Sequence, residues 1–399
     1  MTPAIHIVAF NVPCPADYGG VIDVYYRLRA LSQLGLRVTL HCFTYGRAAA
    51  PELESLCEKV YYYRRDMSPL RLLARRPFIV ASRHSDLLLQ RLSADDHPVL
   101  IEGVHGCLML EGLRSMERER QLPHKTVVVR AHNVEQNYYK LLAQGERRLL
   151  KRLYLSIEAG KLRRYERRLT LADAVVAVTD DDTAFFKALG CRSVATVPVF
   201  HPEDDQRPGD EVRAANMPAL PEGPYALLHG DLSVADNIWA VHRLLSYLAD
   251  MPYRFVVAGR NPDSDLRRAV ARHDNVLLIA SPDDATMETL QRNAQCIVLF
   301  SRQATGFKVK LMTSLMRGRH CIANSAMVAG SGLGTLCHVA DSADGQRRLL
   351  QQLMETPFDE GERKARLELL SREHDNAANA QRIARLLIPT FQLSNTEQP

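Results

Sequence analysis

The stretch FSRQATGFKVKLMTSLMRGRHCIAN, residues 300–324, decides how the chain is read. It continues an apolar run, CIVLF at Cys296–Phe300, that reads as a buried strand. Ser301 to Gly306 form a polar loop. From Lys308 onward Val309, Leu311, Met312, Leu315 and Met316 recur at helical spacing. Gly318 stops that helix, Arg317 and Arg319 suit its negative end, and CIAN begins another strand. Strand, loop, helix and strand make one βαβ unit. Its first loop aims a helix N-terminus, Gly306, Lys308 and Lys310 at one place, where unpaired N–H groups and the helix dipole favour an anion. Each lysine is worth about 1.5–3 kcal/mol as a charge-assisted hydrogen bond once desolvated. The competing reading is two solvated lysines on an ordinary helix, and spacing alone does not separate the two.

The totals frame the context. At 399 residues the chain exceeds one hydrophobic core, so two domains are expected. Net charge is +5, which permits contact with phosphates or anionic lipid and demands neither. The basic residues are dispersed without interleaved aromatics, which argues against nucleic acid. Eight cysteines without CxxC spacing read as reduced thiols of a cytoplasmic protein. The sequence enters a strand directly, so no leader is expected, and no apolar run reaches the ~20 residues of a membrane span.

Further strand–loop–helix patterns follow the same logic. AIHIVAF, Ala4–Phe10, reads as a strand, with Asp17, Gly19 and Gly20 in the loop before a helix, and RVTLHCF, Arg37–Phe43, as the second strand. The glycines let backbone approach a ligand, although turn geometry also explains them. Residues 48–97 read as helical and basic, with Arg64, Arg65, Arg71, Arg75, Arg76 and Arg83. PVLIEG and KTVVVRAHN put Glu102, His105, Arg130, His132 and Asn133 at the carboxyl ends of two strands, where open parallel sheets bind ligands. Glu146–Leu169 reads as a long helix with nine Lys or Arg against three Glu and an apolar stripe. Such a helix packs on its own domain or docks on an anionic membrane. Asp180–Asp182 read as a helix start with first-turn carboxylates rather than a metal site, because consecutive residues cannot share one face. From His201 to Pro224 the chain turns Pro- and acid-rich, the mark of a linker, and a second α/β series begins. Helices are expected at Gly345–Met354 and Asn376–Leu387.

Several strings together resemble family 4-like sugar transferases of the GT-B class. HGDLSVADNIWAVHRLL resembles the opening of their second domain, VVAGRNPDSDLRR their "v-G-r-n-P" strand, and TGFKVKLMTSLMRGRHCIAN with VAGSGL their phosphate-anchoring segment. RAHNVEQNYY resembles a string in bacterial mannosyl and exopolysaccharide transferases. The resemblance implies an α/β GT-B fold of two Rossmann-like doubly wound domains facing across a cleft. It implies an acceptor domain at 1–203, a linker at 204–224, a nucleotide-sugar domain at 225–375, and a helix and tail at 376–399 that folds back on the first domain. A UDP- or GDP-sugar donor is then expected on Gly230, Asp231, Arg260, Asn261, Thr305, Gly306, Lys308, Lys310 and Thr313. A glycan or lipid-linked acceptor is expected on Asp17, Gly19, Gly20, Arg130, His132 and Asn133, with His105 and Glu102 as catalytic candidates. No cofactor and no metal is expected, and Glu146–Leu169 is the expected peripheral membrane contact. One departure stands out: the family usually carries glutamates where this sequence has Thr313 and Thr305. A degenerate transferase acting as a scaffold, or an epimerase on the same fold, are the rival readings.

Overall fold

The computed structural model describes residues 2–146, 148–202, 223–304, 306 and 308–392. They divide into two compact units, Met1–Phe200 with His374–Pro399, and His201–Glu373. Most of the expected linker, and Thr305, lie outside the described residues.

Unit 1 is built on seven parallel strands: β1 (Ala4–Ala9), β2 (Arg37–Thr44), β3 (Lys59–Arg64), β4 (Val99–Glu102), β5 (Val127–Ala131), β6 (Ala174–Ala177) and β7 (Val194–Thr196). Their order is β3-β2-β1-β4-β5-β6-β7. The central strands are short Val-, Ile- and Leu-rich runs buried on both faces, as parallel sheets require. Each fully buried Val, Ile or Leu is worth about 1.5–3 kcal/mol over its exposed state. The last helix, Asn376–Leu387, adds Ala380, Ile383, Ala384 and Leu387 to the core on the face that also holds Val24, Leu28 and Leu31 of helix Gly19–Gln33.

Unit 2 repeats the plan with β8 (Tyr225–His229), β9 (Arg254–Gly259), β10 (Val276–Ala280), β11 (Cys296–Leu299), β12 (His320–Ala323) and β13 (His338–Val339), in the order β10-β9-β8-β11-β12-β13. In each sheet the winding reverses once, between β1 and β4 and between β8 and β11. The carboxyl ends of those strand pairs are the crevices where such sheets take ligands.

Three expectations need correction. Residues 48–97 are not helical throughout: KVYYYR forms edge strand β3, pairing with β2 from Thr39↔Lys59 to Thr44↔Arg64. Glu146–Leu169 is not one helix, since Leu149–Tyr165 is α-helical and Glu166–Leu171 turns into a tighter 3-10 coil. Its apolar stripe also divides. Leu162, Tyr165 and Leu169 are buried, whereas Leu149, Leu150, Leu153 and Ile157 are at least half exposed. A helix at Glu360–Glu373, absent from the sequence reading, precedes the last one. All eight cysteines are free. Among the described residues no helix is long and apolar enough to cross a membrane.

Candidate functional site

At the carboxyl ends of β8, β9 and β11 in unit 2, the backbone is packed so closely that side chains are excluded. A Cβ on Gly259 would lie 1.8 Å from the carbonyl oxygen of Gly230. Gly230 itself, at φ +153°, faces the Asn237 amide at 2.8 Å from where its Cβ would be. The turn is tied by Gly230 N–H to Ala258 O (3.1 Å) and Leu232 N–H to Arg260 O (2.8 Å). Asn261 adopts φ +55° in the adjoining turn and is exposed, so its position there is a matter of backbone shape. Arg260 Nη2 lies 3.8 Å from Asp231.

Helix Val309–Arg317 starts beside this turn, with Lys308 at its N-cap position and no side chain capping its first N–H groups. Lys310 Nζ donates to Asn237 Oδ1 (2.7 Å), whose amide donates in turn to Asp231 O (2.8 Å). Lys308 Nζ donates to Gly306 O at 3.1 Å, and Gly306 sits at φ +71°. Burial pulls both ammonium groups down to about 8, and the nearby Asp236 carboxylate only partly resists. Asp236 is otherwise engaged: it accepts from Ser301 Oγ (2.8 Å) and Arg302 N–H (2.9 Å), pinning the loop after β11. Thr313 Oγ1 donates back to Lys310 O at 3.2 Å. Below it His229 meets Ser314 Oγ at 2.8 Å, and burial with the Lys310 charge pushes that imidazole down to about 3. Desolvated lysines, a helix start and glycine-lined backbone thus converge on a small volume that suits phosphate oxygens.

Unit 1 carries a different arrangement at its switch point. Asp23 and Arg27, one turn apart on helix Gly19–Gln33, meet Glu102 from β4 and Arg130 from β5. Arg27 Nη1 donates to Asp23 (2.7 Å) and its Nε to Glu102 (3.2 Å). Arg130 spans Asp23 (3.2 and 3.3 Å) and the carbonyls of Ala177, Val197 and Pro198. His132 lies between the two carboxylates, 3.1 Å from Glu102 and 3.3 Å from Asp23. Burial alone would raise the Asp23 carboxyl, but Arg130 and Arg27 hold it well below the usual carboxylate range.

This corrects two expectations. Arg130 is fully buried with its N–H groups committed, so it braces the sheet rather than holding an acceptor. Glu102, also fully buried, orients Arg27 and His132 and presents no oxygen to a substrate. His132 keeps partial exposure and forms, with His105 and Phe10, an aromatic wall: Phe10 lies 5.2 Å from the His105 ring and 5.5 Å from His132. Gly20 is glycine for a local reason, since a Cβ there would sit 3.0 Å from the Phe10 ring. Gly103, at φ +69°, leaves room for His105 Nδ1, which a Cβ would approach to 2.6 Å. Burial first, then the Arg83 charge, drives His105 well below its ordinary value, so it is neutral at pH 7. Asp17 pairs with Arg47, and Asn133 bonds the buried Glu135. Sequence reasoning missed Asp23, Arg27, Asp236 and Asn237; for Asp23 and Arg27 the i, i+4 spacing of opposite charges was the available signal.

Among the described residues one group brings three potential metal ligands within 4.8 Å of one another: His6, Asp95 and His97. The Lys125 ammonium, 3.1 Å from Asp95, already fills that carboxylate's charge requirement. Asp180–Asp182 form the first turn of a helix capped by Thr179, whose Oγ1 accepts from Asp182 N–H.

No family model matches the sequence. Among curated proteins it is 24% identical over 349 residues to an uncharacterized 44.6 kDa protein in the cps region of Klebsiella pneumoniae, covering 82% of this chain and 84% of that one. Similar solved structures include sucrose-phosphate synthase from Thermosynechococcus elongatus (TM-score 0.63, 17% identity, 96% of this chain and 98% of that one). The lipopolysaccharide outer core galactosyltransferase WaaB matches at TM-score 0.59 and 14% identity, over 97% and 100% of the two chains. A Burkholderia xenovorans trehalose-phosphate synthase (UDP-forming), solved with glucose-6-phosphate, matches at TM-score 0.59 and 12% identity, over 96% and 99%. Two parallel-sheet α/β units, matched over nearly their whole length by these enzymes, give the chain the GT-B fold.

Proposed function

We propose that the protein transfers a sugar from a nucleotide-diphosphate sugar to a glycan or lipid-linked acceptor in cell-surface polysaccharide synthesis. The observation that carries this reading is the pair of desolvated lysines, Lys308 and Lys310, set at a helix start against the glycine-lined ends of β8 and β9. The names of the structural neighbours, all sugar-transferring or sugar-phosphate enzymes, support it. Lys308, Lys310 and Arg260 stabilise the diphosphate as the bond from sugar C1 to phosphate oxygen breaks. The acceptor oxygen bonds to C1 on the same face, its proton passes to the leaving phosphate oxygen, and configuration is retained. No nucleophile or metal is needed. Neutral His105 donates a ring N–H to a lone pair of the acceptor oxygen and orients it, leaving the hydroxyl proton to the phosphate.

The acceptor side lies at a membrane surface in this reading. Leu149, Leu150, Leu153 and Ile157 stand out from their helix beside exposed Arg148, Lys151 and Arg152. Leu70 and Leu73, exposed by 75% and 83%, project from the neighbouring coil that Lys161 Nζ ties to this helix through Leu72 O. Apolar side chains ringed by cations suit an anionic lipid surface.

Turnover of UDP- and GDP-sugars, followed as release of UDP or GDP, tests the reading. Release with one nucleotide, lost in Lys308→Ala, is expected. Nucleotide binding without release would favour the scaffold reading, for which Thr313 in place of a glutamate is the motive. Appearance of a free epimerised sugar would favour the epimerase.

A further inference from the structure

Arg65 and Arg83 are both buried in unit 1, at 9% and 4% exposure, and neither has a carboxylate within ion-pair distance among the described residues. The carboxylates nearby are engaged elsewhere, Asp66 with Arg71 and Asp17 with Arg47. Arg65 is held by a bond from Nε to Ser82 Oγ (2.9 Å) and lies over the rings of Tyr45 and Phe78 at 4.7 and 5.3 Å. Arg83, one residue beyond Ser82, donates to Phe10 O (2.9 Å) and Ile79 O (2.6 Å). Glu135 faces Arg83, but burial and the Glu166 charge push its carboxyl up to about 8, so at pH 7 it supplies little counter-charge. Two neighbouring buried guanidiniums with no carboxylate at ion-pair distance among the described residues are costly in a folded protein unless an anion completes them. Arg65 also lines an open depression of about 960 Å³, together with Tyr45, Arg47, Arg64, Ser68 and the Asp66 carboxylate, which Arg71 neutralises. That volume suits a sugar phosphate or the head of a lipid-linked sugar. Leu70 and Leu73 lie a few residues beyond its Ser68 rim.

We propose that this depression is an anion subsite in which Arg65, backed by Arg83, holds a phosphate or diphosphate group carried by the acceptor. The proposal rests on the sugar-transfer reading and narrows its acceptor to a phosphorylated one, either a soluble sugar phosphate or a polyprenyl-phosphate-linked sugar. Planar guanidiniums clamp phosphate oxygens in pairs, which fits a group that must be positioned rather than released.

The test is calorimetric titration of the full chain with inorganic pyrophosphate, carried out in Lys308→Ala/Lys310→Ala so that the donor lysines do not compete. One site should persist in that background and weaken at least about tenfold on adding Arg65→Gln, in line with loss of a charge-assisted bond. Arg64→Gln, an exposed change at the same rim, should weaken it less and guards against loss of fold. Arg65→Gln in the otherwise native chain should leave UDP or GDP binding unchanged. Absence of pyrophosphate binding in the double variant, or binding indifferent to both arginine changes, overturns the subsite whatever the nucleotides do. Arginine-dependent pyrophosphate binding in a chain that binds no nucleotide would keep the subsite and remove the donor reading. Glucose 6-phosphate against phosphatidylcholine vesicles doped with polyprenyl phosphate then assigns the source: the arm whose binding Arg65→Gln weakens names it.

Discussion

The two units answer one design problem in opposite ways. Both gather charged residues around the carboxyl ends of their switch-point strands, and both bury much of that charge. In unit 1 the charges close on themselves: Asp23 and Glu102 against Arg27 and Arg130, with His132 between the carboxylates. In unit 2 Lys308 and Lys310 are bonded to neutral oxygens of Gly306 and Asn237. The Asp236 carboxylate that faces them also accepts from Ser301 and Arg302. A closed network fixes the geometry of the strands that lead into His105 and His132. A desolvated cationic site at a helix start favours negative charge, which a ligand can supply.

The largest effect that would break this contrast is expected in unit 1. Asp23→Asn leaves Arg27 paired with Glu102 and removes the one carboxylate at ion-pair distance from buried Arg130 among the described residues, and breaking such a network costs about 3–5 kcal/mol. The only tryptophan, Trp239, belongs to unit 2, so its fluorescence reports that unit while circular dichroism reports both. Urea unfolding of Asp23→Asn should show a circular dichroism transition displaced to lower denaturant while the Trp239 transition stays. An unshifted transition would mean that the network contributes little and that unit 1 is held by its apolar core alone.

Lys310→Ala should behave in the opposite sense. Removing a desolvated ammonium relieves a burial cost, so the thermal midpoint should hold or rise slightly. Nucleoside diphosphate affinity should drop about 10- to 100-fold, the equivalent of one charge-assisted bond. A variant that loses stability and keeps affinity would place Lys310 with the structural charges of unit 1.

The pH dependence sharpens the same point. Both lysines titrate near 8 in the folded protein, below the ordinary value of 10.5. A bound diphosphate favours the charged form, so binding above pH 8 should take up protons, and affinity should fall as pH rises from 8 to 10. Titrations in buffers of different ionisation enthalpy would read that uptake directly. The unliganded protein should move the other way. Its unfolded lysines bind more protons than the folded ones between pH 8 and 10.5, so stability from this pair rises with pH there.

The sequence exposes the open site more readily than the closed one, for physical reasons. Lys308, Lys310 and Gly306 lie within one loop-helix junction, where local spacing carries the signal. Glu102, Arg130 and His132 were legible only as polar residues at strand ends. Their real partner, Asp23, is 107 residues from Arg130 and sits inside a helix that reads as ordinary. Strand β3 escaped because KVYYYR is an edge strand, half exposed along most of its length, and lacks the continuous apolar run of its neighbours. The helix Glu360–Glu373 escaped because it buries only Leu370 and shows no apolar stripe. The division of the Leu149–Tyr165 stripe into buried and exposed parts depends on what packs over it, which periodicity does not encode.

The smallest expected effect concerns Thr313, at the position where the resemblance to family 4-like transferases leads one to expect a glutamate. Its hydroxyl donates to Lys310 O at 3.2 Å, a local bond within the helix, and the side chain is only partly buried. If that bond is its whole role, Thr313→Ala should change nucleotide-sugar affinity less than about threefold and stability by less than about 1 kcal/mol, the net worth of a neutral hydrogen bond. Thr313→Glu puts a carboxylate one turn from Lys310. Without ligand it should draw the lysine's charge inward and raise its titration above 8. With ligand two results separate the options. Tighter donor binding would mean that the ribose or sugar hydroxyls pass within reach and that the native chain does without this contact. Weaker binding would mean that the carboxylate competes with phosphate for Lys310. A tenfold loss in Thr313→Ala itself would contradict the local-bond account and make the hydroxyl a donor to the ligand, drawing unit 2 toward the directly bonded, closed style of unit 1.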